Sequence, residues 1–193
     1  MDAAGKSGVR IFPWVAEFVP DLSGLDGSRP HALFEFEERY GKGYLRGVIG
    51  RCWIHMGGRA LDTFRPVLRA KTLEHILREN PGGCARELTD TSHFHLDLFG
   101  NYIPGLCSGL AIVRDDVGKA LSDDKYPLLN ILNAEGIRGL LDFTLREYGF
   151  KPSQAGYINK CDLCTEIRFF LFQEGYDRSQ ELGPGEFYYQ RYK

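Results

Sequence analysis

The chain has 193 residues, a formal net charge of −2, 43% hydrophobic and 26% charged residues. That composition supplies a packed core, and mixed charge without a lysine–arginine run gives no reason to expect a nucleic-acid partner. No apolar run approaches the ~18 residues of a membrane span, and the N-terminus MDAAGKSGVR lacks the apolar core of a signal peptide.

Residues 1–8 read as the end of a helix stopped by Gly8, and residues 9–19, VRIFPWVAEFV, as a buried strand with Pro13 at a strand end or bulge. A chain opening this way raises the expectation of a C-terminal part of something longer. Residues 22–30, rich in Gly, Ser and Asp, predict a loop. Residues 32–49 predict a helix, with Leu33, Phe36, Tyr40, Tyr44, Leu45 and Val48 on one stripe and three glutamates near its start, where the dipole favours acid. RCWIH, residues 51–55, predicts a short strand running into Gly57-Gly58-Arg59, where paired glycines let the backbone turn or approach a ligand. Residues 61–80 have helical periodicity divided by Pro66 and stopped at Asn80-Pro81-Gly82-Gly83.

Cys84 follows that stop. Residues 91–107, TSHFHLDLFGNYIPGLC, predict a β-hairpin: Phe94, Leu96 and Leu98 alternate with His93, His95 and Asp97, and Gly100-Asn101 supplies the turn. The return strand ends at Cys107. Two helical stretches follow, residues 127–133 and 137–148, with Gly149 as the stop. CDLCTEIRFFLF, residues 161–172, predicts a helix with C-x2-C in its first turn, and the tail a loop and one short helix.

The cysteines carry the chemistry. There are five, an odd number, and with no secretion signal they point to a reducing, cytoplasmic compartment, where spaced cysteines serve metals or catalysis more often than disulfides. C-x2-C at a helix start turns two thiolates toward one metal, with backbone N–H groups and the helix dipole stabilising negative sulfur. Cys84 and Cys107 flank a hairpin segment, and antiparallel strands bring such ends together. Cys84, Cys107, Cys161 and Cys164 therefore make a candidate four-thiolate site. Spacing alone does not choose among zinc, [2Fe–2S] and [4Fe–4S], and buried free cysteines are the bland alternative. Cys52, in an apolar stretch, is left out of the set. His93 and His95 share a strand face but are more simply half-exposed polar groups. Gly57-Gly58-Arg59 offers N–H groups and a guanidinium to an anion, or is only a tight turn with a solvated arginine.

Cysteine, a hairpin with a Gly-Asn turn, cysteine, then a later C-x2-C resembles the auxiliary-cluster extension, of SPASM or twitch type, of radical S-adenosylmethionine proteins. IFPWVAEFVPDL, WIHMGGRALDTF, GGCARELTDTSHFHLDLFGNYIPGLC and GYINKCDLCTEIRFFLF carry the resemblance over nearly the whole chain. It implies an α/β fold: residues 1–83 as the last strands and helices of a partial (β/α)6 TIM-like barrel, then residues 84–193 as an α+β cluster-binding extension with a β-hairpin. It implies an auxiliary [4Fe–4S] cluster on Cys84, Cys107, Cys161 and Cys164, serving electron relay or structural support, and places Gly57, Gly58 and Arg59 on the S-adenosylmethionine or substrate side. The family's C-x3-C-x2-C motif is absent from these 193 residues. S-adenosylmethionine is thus expected only in a complete protein, and the expected partners are an N-terminal radical half and a substrate for which a peptide is one candidate. The rival expectations are a structural zinc module on the same cysteines and a thiol-redox domain using Cys161 and Cys164.

Overall fold

The computed structural model describes residues 31–51, 53–92, 95–176 and 180–189. The strand expected over residues 9–19 and the loop over 22–30 lie outside these residues, as do Cys52 and His93. The chain divides into two compact units, Met1–Ile54 with Asp62–Val67, and His55–Leu61 with Leu68–Lys193.

In the first unit the stretch expected to form one helix forms two, α1 (Leu33–Tyr40) and α2 (Tyr44–Arg51). The break falls at Gly41 and Gly43, both at positive φ, which outweigh the continuous apolar stripe. Glu35 Oε2 accepts the Ala32 N–H at 2.8 Å, satisfying a donor that the first turn leaves open. Phe36 and Leu45 are buried, and the Tyr40 and Tyr44 rings stack at 4.4 Å across the break. The strand expected at residues 51–55 does not form: Arg51 ends α2, and residues 53–56 have no regular structure.

Next in chain order come α3 (Gly58–Phe64), a 3-10 turn (Arg65–Val67) and α4 (Leu73–Glu79). Pro66 lies in the 3-10 turn, so the division expected at this proline is found there. Thr72 caps α4, accepting the His75 N–H at 3.3 Å. A single turn, α5 (Ala85–Leu88), begins directly after Cys84.

The hairpin is shorter than its sequence pattern. Strand β1 (His95–Leu96) pairs antiparallel with β2 (Tyr102–Ile103), His95 facing Ile103 and Leu96 facing Tyr102. The turn is held by Asp97, whose Oδ1 accepts the N–H groups of Phe99 and Asn101 at 2.9 and 2.8 Å. That side chain supplies local bonds that end the strands at the turn. Tyr102 exchanges both backbone hydrogen bonds with Ile112, which returns the chain past the hairpin.

The second unit is built on two helices, α6 (Pro127–Tyr148) and α7 (Lys160–Gln173), packed together over Leu128, Leu132, Ile137, Leu140, Leu163, Ile167 and Leu171. The two stretches expected over residues 127–148 merge into α6 with a kink at Gly136, at φ 68° and ψ −152°. A Cβ there would lie 2.2 Å from the Gly82 carbonyl oxygen, so only glycine lets the segment before Cys84 lie against the kink. Gly149, left-handed at φ 68°, ends α6 where expected. The start of α6 is capped from far along the chain: buried Glu181 accepts the Leu128 and Leu129 N–H groups, each at 2.7 Å. Helix α8 (Gly185–Tyr189) completes the unit. Among the described residues no helix is long and apolar enough to cross a membrane.

Candidate metal centre

All four cysteines of the predicted set lie in the second unit, are partly buried and are free of disulfides. Three separate elements deliver them. Cys84 occupies the N-cap position of α5, and its N–H donates to the Leu132 carbonyl of α6 at 2.7 Å. Cys107 sits in the turn after β2, its N–H donating to Pro104 O at 3.1 Å and its carbonyl accepting the Leu110 N–H at 2.9 Å. Cys161 and Cys164 lie in the first two turns of α7. That helix starts at Asn159, whose Oδ1 accepts the Asp162 N–H at 2.9 Å, while Asp162 Oδ2 accepts the Ile158 N–H at 2.9 Å.

The four sulfurs share one electrostatic neighbourhood. Burial pushes the Cys107 thiol up to about 12, reinforced by Cys164, Cys161 and Cys84 against the opposing pull of Arg168. Cys161 is likewise pushed up to about 12, by burial and then Cys164, with Cys84 adding and Lys160 and Arg168 opposing. Cys84 is raised by burial, with Cys164 adding and Lys160 opposing. In the free protein Cys84, Cys107 and Cys161 therefore hold their protons at neutral pH. Among the described residues no three His, Cys, Asp or Glu side chains form a group set to hold one metal ion.

Two cations face the sulfurs. Lys160 acts on Cys84 and Cys161, and its charge is answered by Glu87, with Nζ 2.5 Å from Oε1. Arg168 lies one turn beyond Cys164 and is 3% exposed. Its Nη1 donates to Ser108 O at 2.8 Å and to Tyr188 Oη at 3.2 Å, and its Nη2 donates to Thr165 Oγ1 at 3.2 Å. The Cys164 and Cys107 sulfurs act on its charge. Burial opposes its charge, yet Tyr188 and the Cys164 and Cys107 sulfurs hold its pKa above the ordinary arginine value. The loop carrying Cys107 closes against this group: a Cβ on Gly109 would lie 2.4 Å from the Phe187 ring and 2.8 Å from Arg168 Nη1. Tyr188 in turn hydrogen-bonds the Gly109 carbonyl.

Gly57 and Gly58 are brought to the same region by a different route from the one the sequence suggests. Among the described residues no strand precedes them; Gly58 opens α3, and a Cβ there would lie 3.4 Å from Ser108 Oγ, in the Cys107 loop. The segment is pinned by Asn159 Nδ2, which donates to Met56 O at 3.2 Å, so the residue capping α7 also holds the glycine turn. His55 takes part as well: burial lowers its pKa, and a hydrogen bond to the Leu106 backbone opposes that shift. The Arg59 side chain lies outside the described residues. His95 sits on β1, half-buried.

Sequence reasoning missed Lys160, Arg168 and Tyr188. For Arg168 a signal existed: one positive charge inside the apolar run EIRFFLF, four residues after Cys164 and so on the same helix face. No family model, curated protein or solved structure matches the chain.

Proposed function

We propose that this chain binds one [4Fe–4S] cluster through Cys84, Cys107, Cys161 and Cys164, as the auxiliary-cluster part of a radical S-adenosylmethionine protein. The observation that carries the reading is that four free cysteines from three elements share one electrostatic neighbourhood with a buried arginine that has no carboxylate partner among the described residues. The donor set fits the group: four sulfurs satisfy a cluster completely, and their negative charge matches the cations Lys160 and Arg168. A cluster also presents a wider shell than one ion. Tetrahedral zinc would instead draw its sulfurs to within ~4 Å of one another at a Zn–S distance of about 2.3 Å, and metal analysis separates the two.

When bound, an all-cysteine cluster supplies one-electron transfer and structural cross-linking, with no open iron for a substrate to occupy. The residues around it have separable tasks. The first turns of α7 present Cys161 and Cys164 under a helix dipole that favours negative sulfur. Gly136 and the Cys84–Leu132 hydrogen bond fix Cys84 against α6. The Phe187 and Tyr188 pair closes the Cys107 loop against water. By the family resemblance, the cluster relays electrons or braces a radical active site whose S-adenosylmethionine-cleaving ligands belong to another segment or polypeptide, acting on a substrate for which a peptide is a candidate. Gly57 and Gly58 then line the approach to the Cys107 loop, and Arg59 stands beside them in sequence.

Anaerobic reconstitution with ferrous iron and sulfide tests the reading. About four irons per chain and a brown protein are expected, and a Cys84→Ser, Cys107→Ser or Cys164→Ser change lowers that stoichiometry. Colourless protein holding one tightly bound zinc assigns the chain to the structural-zinc alternative. Metal content unaffected by Cys84→Ser would leave only the thiol-redox reading of Cys161 and Cys164.

A further inference from the structure

Arg168 is the residue that the fold accounts for least well by structure alone. A guanidinium that is almost fully buried is strongly disfavoured unless its charge is answered. Lys160 has Glu87 as its answer. Arg168 has no carboxylate within ion-pair distance among the described residues, and its acceptors Ser108 O, Tyr188 Oη and Thr165 Oγ1 are all neutral. Its Nε is buried with no hydrogen-bond partner. Neutral donors would serve those three acceptors at far lower cost, so the positive charge itself needs an explanation. Glu181, the nearby buried carboxylate, is committed to the start of α6, whereas the cysteine set becomes anionic when it holds a metal, with Cys164 one turn before Arg168 on α7 and Cys107 next to the Ser108 carbonyl that accepts Nη1.

We infer that Arg168 is the counter-charge of the four-cysteine centre, placed to make a bound cluster easier to reduce. The inference rests on the cluster reading above and assigns that cluster a redox role beyond bracing. A [4Fe–4S]2+ core with four thiolates carries a net charge of −2. It becomes −3 on accepting one electron from a low-potential one-electron donor, with no bond formed or broken and no proton moved. A fixed positive charge in a water-poor site favours the more negative state. The position is rigid: α7 sets the register of Cys164 and Arg168, and Gly109 leaves room for Nη1 that any side chain would fill. Arg168 is therefore a positioning and tuning residue rather than a ligand.

The test uses the full chain, reconstituted anaerobically, with potential-controlled reduction by dithionite followed by electron paramagnetic resonance. Arg168→Met keeps much of the side-chain volume and removes the charge; Arg168→Lys keeps the charge. The Met variant is expected to show at least a tenfold lower ratio of reduced to oxidised cluster at any fixed potential, equivalent to a midpoint more negative by about 59 mV for one electron. The Lys variant is expected to recover most of that loss. A Met variant with a full iron complement and an unchanged midpoint overturns the inference. Because a buried arginine variant can fail to fold, wild-type protein carrying arginine labelled with 15N only in the guanidino group supplies a second reading. Pulsed resonance of its reduced cluster is expected to show a 15N coupling, and a loaded cluster without that coupling overturns the inference alone. Wild-type chain that takes up no iron overturns the cluster reading and this inference with it.

Discussion

Glu181 joins the end of the chain to the start of α6, and its removal has a calculable effect. Both carboxylate oxygens are committed, each accepting a backbone N–H at 2.7 Å from Leu128 or Leu129, and the residue is fully buried. These N–H groups belong to the first turn after Pro127, where the helix offers them no internal partner. Hydrogen bonds to a charged group contribute about 1.5–3 kcal/mol each, so two sum to roughly 3–6 kcal/mol. Relaxation of the helix start lets water reach part of the site, and Glu181→Ala is therefore expected to cost about 3–5 kcal/mol. Glu181→Gln keeps one acceptor at neutral strength and turns an amide N–H2 toward the other N–H, for a loss of about 2–4 kcal/mol. With a urea slope of about 2 kcal/mol per molar, the Ala variant's midpoint falls by roughly 2 M with the slope unchanged. The control is Glu147→Ala, which removes an exposed pair with Arg146 and should cost less than about 0.5 kcal/mol. A Glu181→Ala midpoint within about 0.5 M of wild type would refute the account of the cap. The same change loosens the segment that seats Tyr188 on Arg168, so reconstituted iron content should fall with stability.

Two other outcomes follow from the site and its frame. In the metal-free protein, Cys107 and Cys161 titrate near 12 against an ordinary 9.0. Their folded pKa values lie above the unfolded ones, so stability is complete below pH about 9 and falls as the pH climbs toward 12, because the unfolded chain ionises first. Tyr188, also pushed up to about 12 by burial, adds a loss of the same sign. Denaturation of metal-free protein across that range should show the decline, and a flat profile would contradict the burial of these thiols. Gly136→Ala places a Cβ 2.2 Å from Gly82 O in a backbone region reserved for glycine, and should cost at least ~3 kcal/mol and displace Cys84. Thermal denaturation and iron uptake measure it; a variant with unchanged melting and full uptake would show that the kink tolerates a side chain.

Much of the local structure is legible in the residues. Gly149 ends a helix because a left-handed position is needed there, Pro66 falls where helical hydrogen bonding gives way, and the C-x2-C pair stands at a helix start that Asn159 caps. Where local patterns were misleading, a competing local interaction is responsible. Asp97 captures N–H groups that the alternating pattern assigned to a ladder, and Gly41 and Gly43 interrupt a stripe that would otherwise continue. RCWIH has the composition of a buried strand, but no second strand lies beside it among the described residues, and a strand without a partner leaves its backbone groups unsatisfied.

The sequence by itself determined the chemistry of the donors: four cysteines, two on one helix turn and two flanking a hairpin. Residue type and short-range spacing suffice for that, because helix and turn geometry act over a few residues. Only the tertiary structure decided that Lys160 and Arg168 share the electrostatic neighbourhood of these cysteines, and that Glu181 closes the start of α6 from more than fifty residues away. Such contacts depend on which surfaces pack and what that packing excludes from water, and no periodicity in the chain encodes them. The same burial holds Cys84, Cys107 and Cys161 protonated when metal-free and makes a buried arginine without a carboxylate partner costly, so the electrostatic character of the site follows from its packing.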